Sequence, residues 1–196
     1  MAQRTRRDRS LTDSLVFQAV RSLLVRDGVL AGFTFQAIAD EAGVNRVQLY
    51  QKFGTRRGLL RAAIQDLMNE TKADRSRYRN LPFVKRRRAI FEQALANPDV
   101  TRLEALLAQD GDDAYQIFPE IDLSRANLLR DYEEGALPED ADGVALHVLT
   151  AAAYMGYCVF RDGYARDVEI DAEELDGRVL EAFEYLLDRA LTKPSR

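Results

Sequence analysis

Apolar positions recur at helical spacing along almost the whole chain, and no segment alternates as a half-buried strand does. Leu15, Ala19 and Leu23, with Val16, Val20 and Leu24 beside them, predict a first helix from about Thr12 to Arg26, ended by Gly28. Phe35, Ile38, Ala39 and Ala42 form one face of a short second helix, with Thr34 as its N-cap and Asp40 and Glu41 toward water. Gly43 supplies the left-handed exit, Val44 pins the turn, and Asn45 caps a third helix, Arg46 to Phe53, whose Leu49 and Phe53 face inward. Thr55 caps a fourth helix reaching about Arg77, with Leu59, Leu60, Ala63, Ile64 and Leu67 inward. Pro82, Pro98, Pro119 and Pro138 punctuate the remainder. They predict helices near 82–96, 98–109, 112–134 (broken at Pro119) and 138–162, with a last one at 171–191. The fold class is all-α.

Two helices joined by a short glycine-containing turn make a helix-turn-helix. The third helix carries the chemistry that reads DNA. Arg grips guanine with two hydrogen bonds, Gln does the same for adenine, and an apolar group touches the thymine methyl. Arg46, Gln48 and Val47 bring those chemistries to the end of the helix that enters the major groove in this motif. Thr34, Tyr50, Lys52, Thr55 and Arg56 are expected on phosphates, the last two combining a helix N-terminus with a guanidinium. Gln36 is placed to reach the backbone or a base edge.

The segment resembles the N-terminal domain of the tetracycline-repressor (TetR) family of bacterial regulators, which shows T-x-x-x-I-A-x-x-A-G-V-S-x-x-x-L-Y-x-H-F-x-x-K-x-x-L-L. Thr34, Ile38, Ala39, Ala42, Gly43, Val44, Leu49, Tyr50, Phe53, Leu59 and Leu60 match it in order and without gaps. Asn45 stands for the usual Ser or Thr, Lys52 for His, Arg56 for Lys, and Val47-Gln48 for a Gly-Thr or Pro-Thr pair. The resemblance in detail covers roughly residues 11–62. It implies a helix-turn-helix DNA-binding domain there, and a helical effector-binding and dimerisation domain over 63–196. It also implies a homodimeric repressor on a palindromic operator, whose two C-terminal helices pair with their mates. An effector bound in the body would pivot the fourth helix and change the spacing of the recognition helices.

Charge sharpens this picture. Residues 1–62 hold 11 Lys and Arg against 5 Asp and Glu, whereas residues 63–196 hold 17 against 27. A basic module on an acidic body is the electrostatic footprint of binding DNA with one end. Arg4, Arg6, Arg7 and Arg9 read as a basic disordered arm over residues 1–10, free to reach the backbone or minor groove. One cysteine, Cys158, excludes an intrachain disulfide and sits in an apolar run as an inert thiol. No apolar segment follows the arginines as in a signal peptide, and a cytoplasmic location is expected.

Val144 to Phe160 lacks charged residues but is short for a membrane span, and it is rich in small residues that allow close helix approach. A partner subunit is its natural cover, as for the stripe Leu175, Val179, Leu180, Phe183, Leu186, Leu187 and Ala190. No phosphate loop, dinucleotide fingerprint, zinc spacing or catalytic triad is present, so neither an enzyme activity nor a cofactor or metal is expected. Asp110, Asp112 and Asp113 around Gly111 read as a solvated loop, and Lys85-Arg86-Arg87-Arg88 as a solvated helix face. The resemblance further implies a pocket for a small apolar or aromatic effector. Its candidate liners are Phe83, Phe91, Leu106, Tyr115, Phe118, Leu128, Tyr132, His147, Tyr154, Met155 and Tyr157, with Tyr78 beside them. Two alternatives stay open: a regulator controlled by a protein partner, and a helical ligand-binding or adaptor protein without DNA function.

Overall fold

The computed structural model describes residues 2–27, 34–70 and 78–192. Among these the chain forms nine α-helices and no strand: α1 Ala2–Asp27, α2 Phe35–Ala42, α3 Arg46–Phe53, α4 Arg56–Glu70, α5 Phe83–Ala96, α6 Pro98–Gln109, α7 Ile121–Glu133, α8 Gly143–Asp167 and α9 Ala172–Leu191. They fall into two compact units, residues 1–70 with 106–115, and residues 71–105 with 116–196.

In the first unit α2 packs on α1 and α3, and α4 packs on α1 and α3. Val16, Phe17, Val20, Leu23 and Leu24 of α1, Phe35, Ile38 and Ala39 of α2, Leu49 of α3, and Leu59, Leu60, Ala63, Ile64 and Leu67 of α4 are all buried. Leu15, expected on the inner stripe, is 44% exposed, and Phe17 is buried instead. The stripe is centred on Val16, Val20 and Leu23, one position round the helix. α1 also begins at Ala2 and not near Thr12, so the segment expected as a disordered arm continues the helix. Ala, Gln and Arg are good helix formers and propagate a turn that α1 already nucleates. The expected stop at Gly28, and the end of the fourth helix beyond Glu70, lie outside the described residues.

In the second unit α5 packs on α8 and α9, and α8 on α9. Phe83, Leu128 and Leu137 form one buried cluster, flanked by Val84, Tyr132, Leu146 and Leu191. Phe91 is the centre of another, with Phe183 edge-on at 5.2 Å and Tyr157 at 5.8 Å. Two helix starts differ from the proline-based reading. Residues 112–118 are not helical, because Gly111 is left-handed (φ 67) and Asp112 folds back to accept from Ala114 N at 3.1 Å. α8 starts at Gly143 and not after Pro138, because Asp142 caps it, accepting from Ala145 N at 2.9 Å. Tyr132 secures this start by donating to Ala141 O and accepting from Gly143 N.

The run Lys85-Arg86-Arg87-Arg88 is not a solvated face. Lys85 and Arg88 reach outward to Glu184, but Arg86 and Arg87 are buried at 5% and 4% exposure. They fall at i+3 and i+4 from Phe83, on the apolar side of α5, and burial there follows from the helical period.

Candidate nucleic-acid interface

The helix-turn-helix is built by its punctuation. Thr34 Oγ1 accepts from Ala37 N at 3.1 Å and starts α2. Gly43 adopts φ 66, its N–H satisfies the end of α2, and Val44 N reaches back to Ala39 O at 2.9 Å. Asn45 Oδ1 then accepts from Val47 N at 2.8 Å and starts α3. Leu49 is the one fully buried residue of α3, and Phe53 is half-buried against Phe17 at 6.0 Å. Arg46, Val47 and Gln48, the expected base readers, are exposed together at its N-terminal end, Val47 at 55%. Arg46 lies over the Tyr50 ring at 5.9 Å, and Tyr50 is packed on Phe35 at 4.2 Å, so the aromatic platform that steers Arg46 is anchored in α2.

The expected phosphate residues are likewise on the surface. Thr55 Oγ1 caps α4 by accepting from Gly58 N at 3.0 Å, beside exposed Arg56. As acceptors in the caps, the hydroxyls of Thr34 and Thr55 keep their own O–H to donate outward. Gln36 is held by Asp40 at 2.7 Å. Lys52 forms an ion pair with Asp13 of α1 and lies over Phe53, so its charge is partly countered within the protein. The helix pair closes on Gly58, where a Cβ would run into the carbonyl oxygen of Phe53. Sequence reading missed this glycine, although a Gly inside a helical pattern is itself the signal of a close approach.

Two arginines of α4 are not free for DNA. Arg57 Nε donates to Asp110 Oδ2 at 2.6 Å, and Arg61 Nε lies 3.2 Å from Asp112 Oδ2. The Asp110–Asp113 loop is therefore held by α4 and is not simply solvated. Arg57 is raised above the ordinary guanidinium range and Asp110 lowered below the ordinary carboxyl range, each first by this hydrogen bond.

The candidate effector liners divide. Leu106 and Tyr115 belong to the first unit, the others to the second. Phe83, Phe91, Leu128, His147 and Tyr157 are buried, whereas Phe118, Tyr132, Tyr154 and Met155 are half-buried. Both hydrogen bonds of the Tyr132 phenol go to the start of α8, and the Tyr157 hydroxyl donates to Asp176 at 2.9 Å. These two are structural. Cys158 is fully buried and its thiol is pushed up to about 11 by burial, which makes it inert. Among the described residues no cluster of His, Cys, Asp and Glu could hold a metal.

α8 and α9 leave large apolar groups in water: Val144, Val148, Leu149, Phe160 and Tyr164 on α8, and Tyr185 and Leu186 on α9. By length and composition alone α8 could cross a membrane. Residues 19–63 match the family model described as bacterial regulatory proteins, tetR family. No curated protein matches the chain.

Proposed function

We propose that this chain, a DNA-binding transcriptional regulator by its membership of the tetR family of bacterial regulatory proteins, acts as a homodimeric, ligand-responsive repressor of a palindromic operator. The observation that carries the reading is the N-terminal end of α3. Arg46, Val47 and Gln48 are exposed there together, on a helix held by Leu49 and by the Tyr50–Phe35 contact. Exposed Thr34, Tyr50, Thr55 and Arg56 supply phosphate donors around them, and Gln36 and Lys52 lie beside them.

The uncovered apolar face of α8 and α9 supports a dimer through those helices. Seven large apolar side chains in water favour burial against a second copy. Two-fold symmetry then sets two recognition helices about 34–36 Å apart, on successive major grooves. Effector binding in the second unit alters that separation, and a coupling of roughly 1–3 kcal/mol loosens the operator ~5- to 150-fold. The action is cytoplasmic, on chromosomal DNA, and needs no enzyme activity.

Selection of DNA fragments from the source genome by the purified protein, at near-physiological salt, tests the reading. One palindromic motif is expected, and Arg46→Ala should cost about 1–3 kcal/mol and relax specificity at one base position. Recovery of random DNA alone, or an equal loss on specific and random DNA in the variant, would overturn it.

A further inference from the structure

Leu49 and Phe53 fix which way α3 turns. Leu49 is buried, and the half-buried Phe53 ring lies 6.0 Å from Phe17 of α1. Gln51 comes two residues after the one and two before the other. At about 100° per residue, that spacing sets it opposite the midpoint of the inward pair. It therefore faces furthest from the core of any residue on α3, and it is exposed. Val47 precedes it by four residues and Gln48 by three, so the three exposed side chains are neighbours on one outward face. Side chains on a helix lean toward its N-terminus, which carries the long Gln51 side chain toward the turn that holds Val47 and Gln48. Arg46 leaves this face for the flank, over the Tyr50 ring at 5.9 Å.

The Gln51 carboxamide is not spent inside the protein. Among the described residues it makes no hydrogen bond, whereas Gln36 donates to Asp40 at 2.7 Å and Lys52 pairs with Asp13. It has no charge to offer a phosphate. What it has is a donor and an acceptor side by side, the pattern that matches N6 and N7 of adenine in the major groove. Val47 beside it offers methyl groups, which suit the methyl of a thymine. Helices that lie in the major groove read bases with residues three and four apart on one face, and Gln48 and Val47 stand at those spacings from Gln51.

We propose that Gln51 is a base-reading residue of this regulator and that it selects an adenine in each half of the operator. This role rests on the reading of α3 as the recognition helix, and it adds a fourth reader to Arg46, Val47 and Gln48. Gln51 is one helical turn beyond Val47 and Gln48. From Arg46 it is about 7.5 Å along the axis. Base pairs are about 3.4 Å apart, so Gln51 and Arg46 read different ones.

The test is selection from a pool of randomised duplex DNA by wild type, Gln51→Ala, Gln51→Glu and Arg46→Ala, with melting temperatures taken on the same samples. Wild type should return a palindrome with one adenine fixed in each half by Gln51. Q51A should lose that base, discrimination there falling roughly 5- to 150-fold, and keep the other positions. A carboxylate accepts but does not donate, so Q51E should exchange the adenine for a cytosine, whose N4 amino group donates. R46A should relax a different position. The melting temperatures of both Gln51 variants should match wild type, because the side chain is exposed. An equal loss on every sequence in both variants would make Gln51 a phosphate contact and overturn the assignment. Unchanged motifs in both would remove it from the interface altogether. Either result beside a wild-type palindrome leaves the regulator reading standing, whereas random DNA from wild type overturns both.

Discussion

Arg57, in the first turn of α4, donates its Nε–H to Asp110, which follows the end of α6, at 2.6 Å. The contact lies one residue beyond Arg56, so a cation that could have served DNA is spent on an internal carboxylate. Both side chains are close to half exposed, and the pair contributes little to folding. Its effect belongs to binding. Asp110→Asn should release Arg57, strengthen binding to every sequence alike, and steepen the dependence of log K on log salt by about 1. A titration across salt concentrations checks this, and an unchanged slope would mean that Arg57 points away from the phosphates even when freed.

Lys52 is subject to the same restraint through Asp13. Asp13→Asn should raise affinity for specific and random DNA equally. In a Lys52→Ala background the same change should have no effect, because the cation it unmasks is gone. Lys52→Ala alone should weaken all sequences similarly and lower the salt slope by about 1 or less. The double-mutant cycle isolates the pair, and additivity of the two changes would refute the coupling.

Gly58→Ala should destabilise the first unit by about 1–3 kcal/mol, because the methyl group meets a main-chain oxygen that cannot move aside without shifting α3. Chemical denaturation followed by helical signal measures the loss. DNA affinity should fall with it, since the same shift displaces the helix that carries Arg46. Full stability in the variant would show that the α3–α4 junction can open at no cost.

Acid should act on His147. Its pKa is held at about 4 in the folded protein against 6.5 for the free side chain, first by burial and then by Arg87 and Arg86. Between those values the unfolded chain takes up a proton that the folded chain excludes. Stability from this group is therefore full above pH 6.5 and falls as the pH drops toward 4. Melting curves of wild type and His147→Gln over that window should diverge, with wild type losing more on acidification. The opposite sign would mean that the imidazole is already charged.

The first unit was more legible in the sequence than the second for a physical reason. Thr34, Gly43, Asn45 and Thr55 act on their own neighbours in the chain, so their spacing alone defines α2, the turn, α3 and the start of α4. Proline is weaker punctuation. Pro138 precedes a helix in the sequence, but Asp142 sets where α8 begins. The exposed positions of α3 followed from Leu49 and Phe53 facing inward. What countered Lys52 and Arg57 did not, because Asp13 and Asp110 lie far away along the chain. The Arg87–His147 contact spans 60 residues in the same way. Its signal was nonetheless present in Phe83, Arg86, Arg87 and Phe91, which place two cations on the apolar period of a helix.

Leu49 is the single buried anchor of α3, and the side chains that face outward at its N-terminal end are not part of the core. The consequence is historical. Substitutions at exposed Arg46, Val47 and Gln48 can pass through a lineage with almost no penalty in folding, so, on the proposed reading of these residues, copies of this gene are free to acquire new target sites one base at a time. Leu49, Gly43 and Gly58 have no such liberty. Descendants of this protein should differ most at the exposed N-terminal end of α3 and least at the residues that hold α3 in place.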